Sequence, residues 1–563
     1  MKKTMRLVFL GILVFAIVIA GCSNNNAGTT KTGNNSVNTD GTNNDKNGNS
    51  GDSSPVTIRV FANQGTDTDF ATNLFTKYIE EKVGISFQWT TVPFDGAAEK
   101  RQISIASGDY PDLYMLIPWV DKFSQLDLLR FGEQGVILPL NDLIDQYAPN
   151  IKEALDKNPY YKAMNTAPDG TIYGLTGLNE CYHCSYPNKM WINTKWLEQL
   201  KLDMPKTTEE FRNVLRAFKT QDPNGNGKRD EVPLSGSTES YGVRIIPYLM
   251  NGFIYDDDRN HMILRDGKVD TAANKPEWKE GLAYIKSLYD EGLIDPGAFT
   301  QNAEAFKKIG ENADAQLLGA GAGMHPAIFV ETGPGNKYGS DYNPLESLAG
   351  PHASYATFNY PVEPGATFVL TNKASEKVQI AAIKMLDYIY TQEGQLLSNY
   401  GEEGKDWRKP QSGDVPIEEG AAGIYATIPS EPGAAPRNSH WGPTAQYNHS
   451  KDFRNGWIQA TDIYKPEGFE RRLQEATHLY DGKQPESIFP HWAMWVDPAA
   501  ADEASMLQTN IRDYIDQNSL QFVTGNKSLD KDWDSYVKGL DDLNLQRYLA
   551  IMQQSYDSSS LTK

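Results

Sequence analysis

The chain has 563 residues, enough for two or more domains and a large core. Its formal net charge of −20, from 53 Lys and Arg against 73 Asp and Glu, argues against nucleic acid or an anionic lipid surface as the main partner. Three cysteines are too few for a disulfide-built scaffold, whereas aromatic side chains are abundant, with 11 Trp, 29 Tyr and 21 Phe.

In chain order, Lys2, Lys3 and Arg6 come first. They precede LVFLGILVFAIVIA, an apolar run too short to span a bilayer comfortably. The run ends in Ile19-Ala20-Gly21-Cys22. One reading is a short membrane anchor with a chance cysteine. The other rests on a resemblance to the lipobox of bacterial lipoproteins. It implies a signal peptide over residues 1–21, cleavage before Cys22, and diacylation there, with palmitate among the chains. Each buried methylene of such a lipid contributes ~0.8 kcal/mol. Residues 23–55 are almost free of apolar side chains and cannot offset the entropy of ordering. With Cys22 they read as a lipidated, disordered tether, residues 22–55, with a reach on the order of 30 Å.

From Val56 the pattern is α/β. VTIRVFA is a strand by its β-branched alternation, DFATNLFTKYIEEKVG a helix ending at Gly84, and ISFQWTTV a second strand. AAEKRQISIASG is a helix and DLYMLIPWV a third, nearly all-apolar strand. Strands alternating with helices predict parallel pairing in a doubly wound sheet, with ligands at the strands' carboxyl ends. That points to Asn63 and Gln64 after the first strand and Trp119 after the third. Farther on, GVILPLNDLIDQYAPNI predicts a helix between Pro139 and Pro149, and TIYGLTG a strand. KMWINTKWLEQL predicts a strand and helix, and KTTEEFRNVLRAFKTQ a helix with a capping box of Thr207 and Glu210. Another helix is predicted for PEWKEGLAYIKSLYDEGL. AQLLGAGAGMHP reads as a buried strand entering a loop at Met324 and His325, its glycines serving close backbone packing. GATFVLTN is a strand and SEKVQIAAIKMLDYIYTQEG a helix capped by Ser375. Beyond Tyr400 no strand can be assigned.

Three groups of residues carry chemistry. In DPNGNGKRDE, Asp222, Asn224, Asn226, Lys228 through its carbonyl, and Asp230 occupy ligand positions 1, 3, 5, 7 and 9 of a calcium loop, with Gly227 at the turn. Position 12 is Pro233 where the loop requires Glu, and Glu231 can supply the missing oxygens. The alternative is a plain Asx/Gly turn. Cys181 and Cys184 allow a local disulfide, a redox dithiol or half a zinc site. The segment after Cys184, SYPNKMWIN, reads as loop and strand and lacks the helix a redox dithiol wants. No second ligand pair exists either, so the disulfide is the preferred reading. Trp89, Trp119, Trp191, Trp407, Trp441, Trp492 and Trp495 are candidates for stacking on sugar rings, against core packing for each, with Trp119 the best placed. Sequence signatures of a hydrolase elbow, a zinc protease helix, a phosphate loop or a dinucleotide fold are absent. A glycosidase-type carboxylate pair stays open.

Several segments taken together resemble the extracellular solute-binding proteins of bacterial sugar importers, family 1. They are Gly108-Asp109-Tyr110-Pro111-Asp112, GVILPLNDLIDQYAPNI, GTIYGL, KMWINTKWLEQLKLDMPKTTEEF, DPNGNGKRDEVPL and FVLTNKASEKVQIAAIKMLDYIYTQEGQLLSNYGEEGKDW. The last looks like the lipoprotein branch serving oligosaccharide import and is similar to alginate-binding proteins, whose calcium loop the shortened DPNGNGKRDE also resembles. The resemblance implies an α/β, two-lobed periplasmic-binding-protein-like fold over residues 56–563, with the ligand cleft between the lobes. Lobe 1 is expected at about 56–172 and 352–400, and lobe 2 at about 173–351 and 401–563. It implies a non-enzymatic, monomeric binding protein. The expected partners are an oligosaccharide and the membrane subunits of an ABC permease, with a structural Ca²⁺ and a lipid anchor on the extracytoplasmic face of the cell membrane. The alternatives are a surface polysaccharide-degrading enzyme and a carbohydrate sensor or adhesin without transport.

Overall fold

The structure is a computed structural model that describes residues 55–333, 335–429 and 434–562. The segments expected to be a signal peptide and a tether, with Cys22, lie outside the described residues as far as Ser54.

Two four-stranded sheets organise the protein. In the first, Val56–Asn63 pairs in parallel with Ile85–Val92 on one side and Leu113–Met115 on the other, and Phe368–Leu370 closes the far edge antiparallel. Ile58, Val60 and Ala62 are buried, as the alternation of Val56–Asn63 requires. The helix expected from Asp69 begins at Leu74, because the Asn73 side chain accepts hydrogen bonds from the Phe75 and Thr76 amides and caps it there. The apolar run after Asp112 is a strand only over Leu113–Met115, and its remainder turns into a loop. Pro149 opens a new helix, Pro149–Lys157, directly behind Asn141–Tyr147. It lacks an N–H, so it fits a first helical turn. TIYGLTG contributes only an isolated pairing of Leu175 with Phe368.

The second sheet runs Tyr342–Leu345, Met190–Asn193, Leu318–Ala322, Val232–Ser235. It is mixed, with antiparallel pairs except between Val232–Ser235 and Leu318–Ala322, so the wholly parallel expectation fails here. Gly319 and Gly321 do serve close packing. A Cβ on Gly319 would lie 2.6 Å from the Phe218 ring, and one on Gly321 would lie 3.1 Å from Phe306 and Phe329.

Beyond Tyr400 the chain forms short strands at Trp407–Arg408, Ala426–Thr427 and Asn448–His449. The 26-residue helix Pro498–Val523 packs on Pro276–Asp290 beside the second sheet. Trp441, however, sits among Phe70, Phe75, Phe87 and Trp89 of the first sheet's layer. The segment 401–563, expected wholly in lobe 2, therefore divides between the two sheets. No helix among the described residues is long and apolar enough to cross a membrane.

Candidate functional site: the face between the two sheets

The carboxyl ends of the first sheet's parallel strands carry two linked loops. Asn63 is buried, and its Oδ1 accepts the Ile117 amide hydrogen at 2.9 Å, so it ties the loops together. Gln64, half-buried, donates its backbone N–H to Val92 O. The loop after Met115 is held from beneath by Arg101, whose Nε lies 3.0 Å from both Asp121 oxygens and whose Nη2 donates to Lys122 O at 2.9 Å. Burial pushes the Asp121 carboxyl up despite Arg101. On this rigid support Trp119 is 60% exposed.

A continuous set of contacts leads from this loop to the second sheet. Lys122 Nζ is 2.8 Å from Glu363 Oε2, and Arg259 Nη2 is 3.9 Å from Glu363 Oε1. Burial works to raise the Glu363 carboxyl, but Lys122 and Arg259 outweigh it and hold the group below its ordinary range. The Arg259 guanidinium lies 5.9 Å from the Tyr241 ring. The Tyr241 hydroxyl accepts from Asn359 Nδ2 at 3.2 Å. Tyr241 O in turn accepts the Met324 amide hydrogen at 3.1 Å. Gly242 permits that approach, for its φ is +73° and a Cβ would lie 1.9 Å from Pro187 O. Met324 and His325 are half-buried at the end of Leu318–Ala322, and His325 faces Phe469 at 6.0 Å. Burial, then Lys189, pushes the His325 imidazole down. The stretch bearing Glu363 also carries Tyr360, which is 5.3 Å from Tyr160 and 6.2 Å from Trp492. Asn158 Nδ2 donates to the Tyr360 hydroxyl at 2.8 Å.

Trp119 lies in the loop four residues beyond Met115, and Met324 and His325 follow Ala322 by two and three residues. Trp407 and Trp441 do not belong to an accessible site. Trp407 is 5% exposed, donates Nε1–H to Gly401 O at 2.9 Å, and packs with Tyr425 and Phe453. Trp441 is 1% exposed and donates to Thr76 Oγ1 at 2.8 Å. Both sit in loop-rich sequence, yet ring size drove them inward. Lys122, Glu363, Arg259, Tyr241 and Tyr160 carry no local sequence signal. Lys122 and Glu363 are 241 positions apart and meet only in the fold.

The loop 222–231 lies after the helix Thr208–Thr220. Asp222 Oδ1 and Oδ2 accept the amides of Asn226 and Gly227 at 3.2 and 3.0 Å. Asp230 Oδ1 accepts from the side-chain amides of Asn224 and Asn226 at 3.1 and 3.0 Å. Glu231 Oε1 is buried without a partner. Burial pushes the Glu231 carboxyl up, and the charges of Asp222 and Asp230 add to it. An oxygen-rich ring with an orphaned carboxylate oxygen fits a hard cation. Cys181 and Cys184 are joined by a disulfide beside the buried His183. Beneath that loop Lys189 Nζ donates to His183 O at 2.8 Å, and burial pushes the amine down to about 7.

Two α/β sheets, with strand ends and their loops meeting across one shared face of aromatic and charged side chains, define a two-lobed binding protein. Residues 62–396 match the bacterial extracellular solute-binding proteins, and the chain belongs to that family. It is similar to the fructooligosaccharide ABC transporter substrate-binding protein FusA of Streptococcus pneumoniae, with 31% identity over 507 residues, 87% of this chain and 88% of the relative. Lipoprotein LipO of Bacillus subtilis is 25% identical over 425 residues, 72% of this chain and 74% of the relative. The structure of an EF-hand mutant of S. pneumoniae FusA in complex with fructo-nystose superimposes with a TM-score of 0.64 at 27% identity, covering 89% of this chain and 99% of that one.

Proposed function

We propose that the chain is the lipid-anchored substrate-binding protein of an ABC importer and captures an oligosaccharide between its lobes. The observation that carries this reading is the nearly full-length similarity to a fructooligosaccharide-binding protein. The exposed Trp119 and Tyr160 suit the C–H faces of sugar rings, and Lys122, Glu363 and Arg259 suit hydroxyls. Closure of the lobes buries the ligand, and the closed form docks on the permease. Lobe 1 comprises about 56–172 and 352–400, with part of the segment around Trp441. Lobe 2 comprises about 173–351 and the remainder of 401–563.

Ca²⁺ is held by Asp222, Asn224, Asn226, the Lys228 carbonyl, Asp230 and Glu231, remote in role from the cleft. The ion relieves the repulsion among three carboxylates and clamps the loop. Cys22 carries the lipid anchor on the extracytoplasmic face, a reading supported by the lipobox-like ending and by the lipoprotein relative.

Calorimetry with kestose, fructo-nystose, alginate oligomers and a peptide panel tests the function. A fructooligosaccharide is expected to bind, and Trp119→Ala to weaken it at least tenfold while the fold is kept. Binding of a peptide but of no saccharide would sink the ligand class.

A further inference from the structure

The segment Asp256–His261 meets the helix Pro498–Val523 at Asp516 and holds a concentration of buried acid. Asp256 and His261 are 0% and 2% exposed and Asp257 is 7% exposed. One ligating atom from each of the three falls within 4.8 Å of the other two. All three have an atom with no hydrogen-bond partner: Asp256 Oδ2, Asp257 Oδ2 and His261 Nε2. His261 Nε2 is 3.5 Å from Asp516 Oδ1, within ion-pair range but without hydrogen-bond geometry. The other Asp257 oxygen is already committed, accepting the amides of Arg259, Asn260 and His261 at 2.7 to 3.1 Å.

Two features point to a ligand. The first is charge. The carboxylates of Asp256, Asp258 and Asp516 pair with one guanidinium, that of Arg244, and with the His261 imidazole, whereas Asp257 forms no ion pair among the described residues and has only the buried His491 imidazole acting on it as a potential cation. Arg259 is turned away to Glu363 and Tyr241. Buried charge without compensation destabilises the fold. The second is spacing. His261 Nδ1 and Asp256 Oδ1 are 2.8 Å apart. That contact is a hydrogen bond, and the fit to an ion rests on the ligating atoms of all three residues lying within 4.8 Å of one another, since two ligands at ~2.1 Å in a tetrahedral site stand ~3.4 Å apart. Asp516 and Arg244 surround these groups as outer partners that orient them. A cavity of about 610 Å³ lined by Arg244, Asp258, His491 and Asp516 gives an approach from solvent.

We propose that Asp256, Asp257 and His261 form a second metal site, one for a divalent transition ion, Zn²⁺ or Mn²⁺. Mixed imidazole and carboxylate ligation suits such ions, whereas the all-oxygen loop 222–231 suits Ca²⁺. The ion takes the place of the proton shared between His261 and Asp256 and supplies the missing positive charge. It thereby pins helix Pro498–Val523, through Asp516, to the layer of the second sheet.

The test uses the mature chain stripped of metal, restored to millimolar Ca²⁺, and titrated with Zn²⁺ or Mn²⁺. One equivalent is expected to bind beyond the calcium, by elemental analysis and by the loss of free Mn²⁺ signal in electron paramagnetic resonance. Asp257→Asn and His261→Gln should each weaken uptake at least tenfold, and Asp230→Asn should leave it unchanged. Because either cluster variant could fail to fold, anomalous scattering from Zn²⁺-soaked wild-type crystals supplies a second reading, with a peak expected between Asp256, Asp257 and His261. No uptake by the folded wild type, equal uptake in both folded variants, or a peak elsewhere only, overturns the proposal.

Discussion

Individual side chains differ sharply in what they do even where the residue type is the same. Trp119 closes an apolar predicted strand and Trp441 sits in loop-like sequence, but the first is exposed and the second fills the first sheet's layer. Trp441→Ala should cost ~3–5 kcal/mol in urea unfolding, as large-to-small core changes do, and leave ligand affinity unchanged in the folded protein. A loss of affinity without loss of stability would show that the ring reaches the ligand. His449 offers a second residue-level prediction. It is buried against Tyr400 and Phe453, neither ring nitrogen has a partner, and burial followed by Arg454 pushes its imidazole down to about 3. The folded state keeps it neutral while the unfolded chain protonates it below the ordinary value of ~6.5. Stability therefore falls as pH drops from ~6.5 toward 3, by up to ~1.4 kcal/mol per pH unit from this group alone. His449→Phe should flatten the change in urea midpoint between pH 7 and 5. An unaltered slope would remove His449 from the account.

Helices and loops show how local signals behave inside the fold. Thr207 and Glu210 form the expected box, with Thr207 Oγ1 accepting the Glu210 amide hydrogen at 3.1 Å and Glu210 Oε2 accepting that of Thr207 at 3.1 Å. Thr207→Ala should cost ~1 kcal/mol, measured by urea unfolding. The next element is the loop 222–231. Chelator should lower the melting temperature of the wild type but not of an Asp222→Asn, Asp230→Asn double variant. An equal response of the two would place the chelator's effect elsewhere. Capping and turn motifs were readable because their partners lie within a few residues. Strand lengths were not, since a strand ends where its neighbour does. The apolar run after Asp112 is paired over only three residues, because Val56–Asn63 ends one residue past its last pair with Met115 and the Asn63 side chain then takes the Ile117 amide.

At the scale of the molecule, Glu363 stands between Lys122 beside the first sheet and Arg259 beside the second. Lobe closure predicts a smaller radius of gyration by X-ray scattering when a binding oligosaccharide is added. Glu363→Gln should weaken that ligand's binding, since it removes the charge facing both cations. A radius unchanged at saturating ligand would exclude closure as the mode of capture.

What the amino-acid order determined by itself is whatever depends on near neighbours: the α/β pattern, the helix caps at Ser375 and Thr207, the oxygen spacing of the loop 222–231, and the tight packing at Gly319 and Gly321. The family resemblance added the two-lobed plan, because it draws on the order of many such segments at once. Only the tertiary structure decided which aromatic rings are accessible, that the second sheet is mixed, that Trp441 returns to the first sheet, and that Lys122, Glu363 and Arg259 meet. Burial and long-range ion pairing are properties of what surrounds a residue, and for these residues the surroundings are supplied by segments hundreds of positions away.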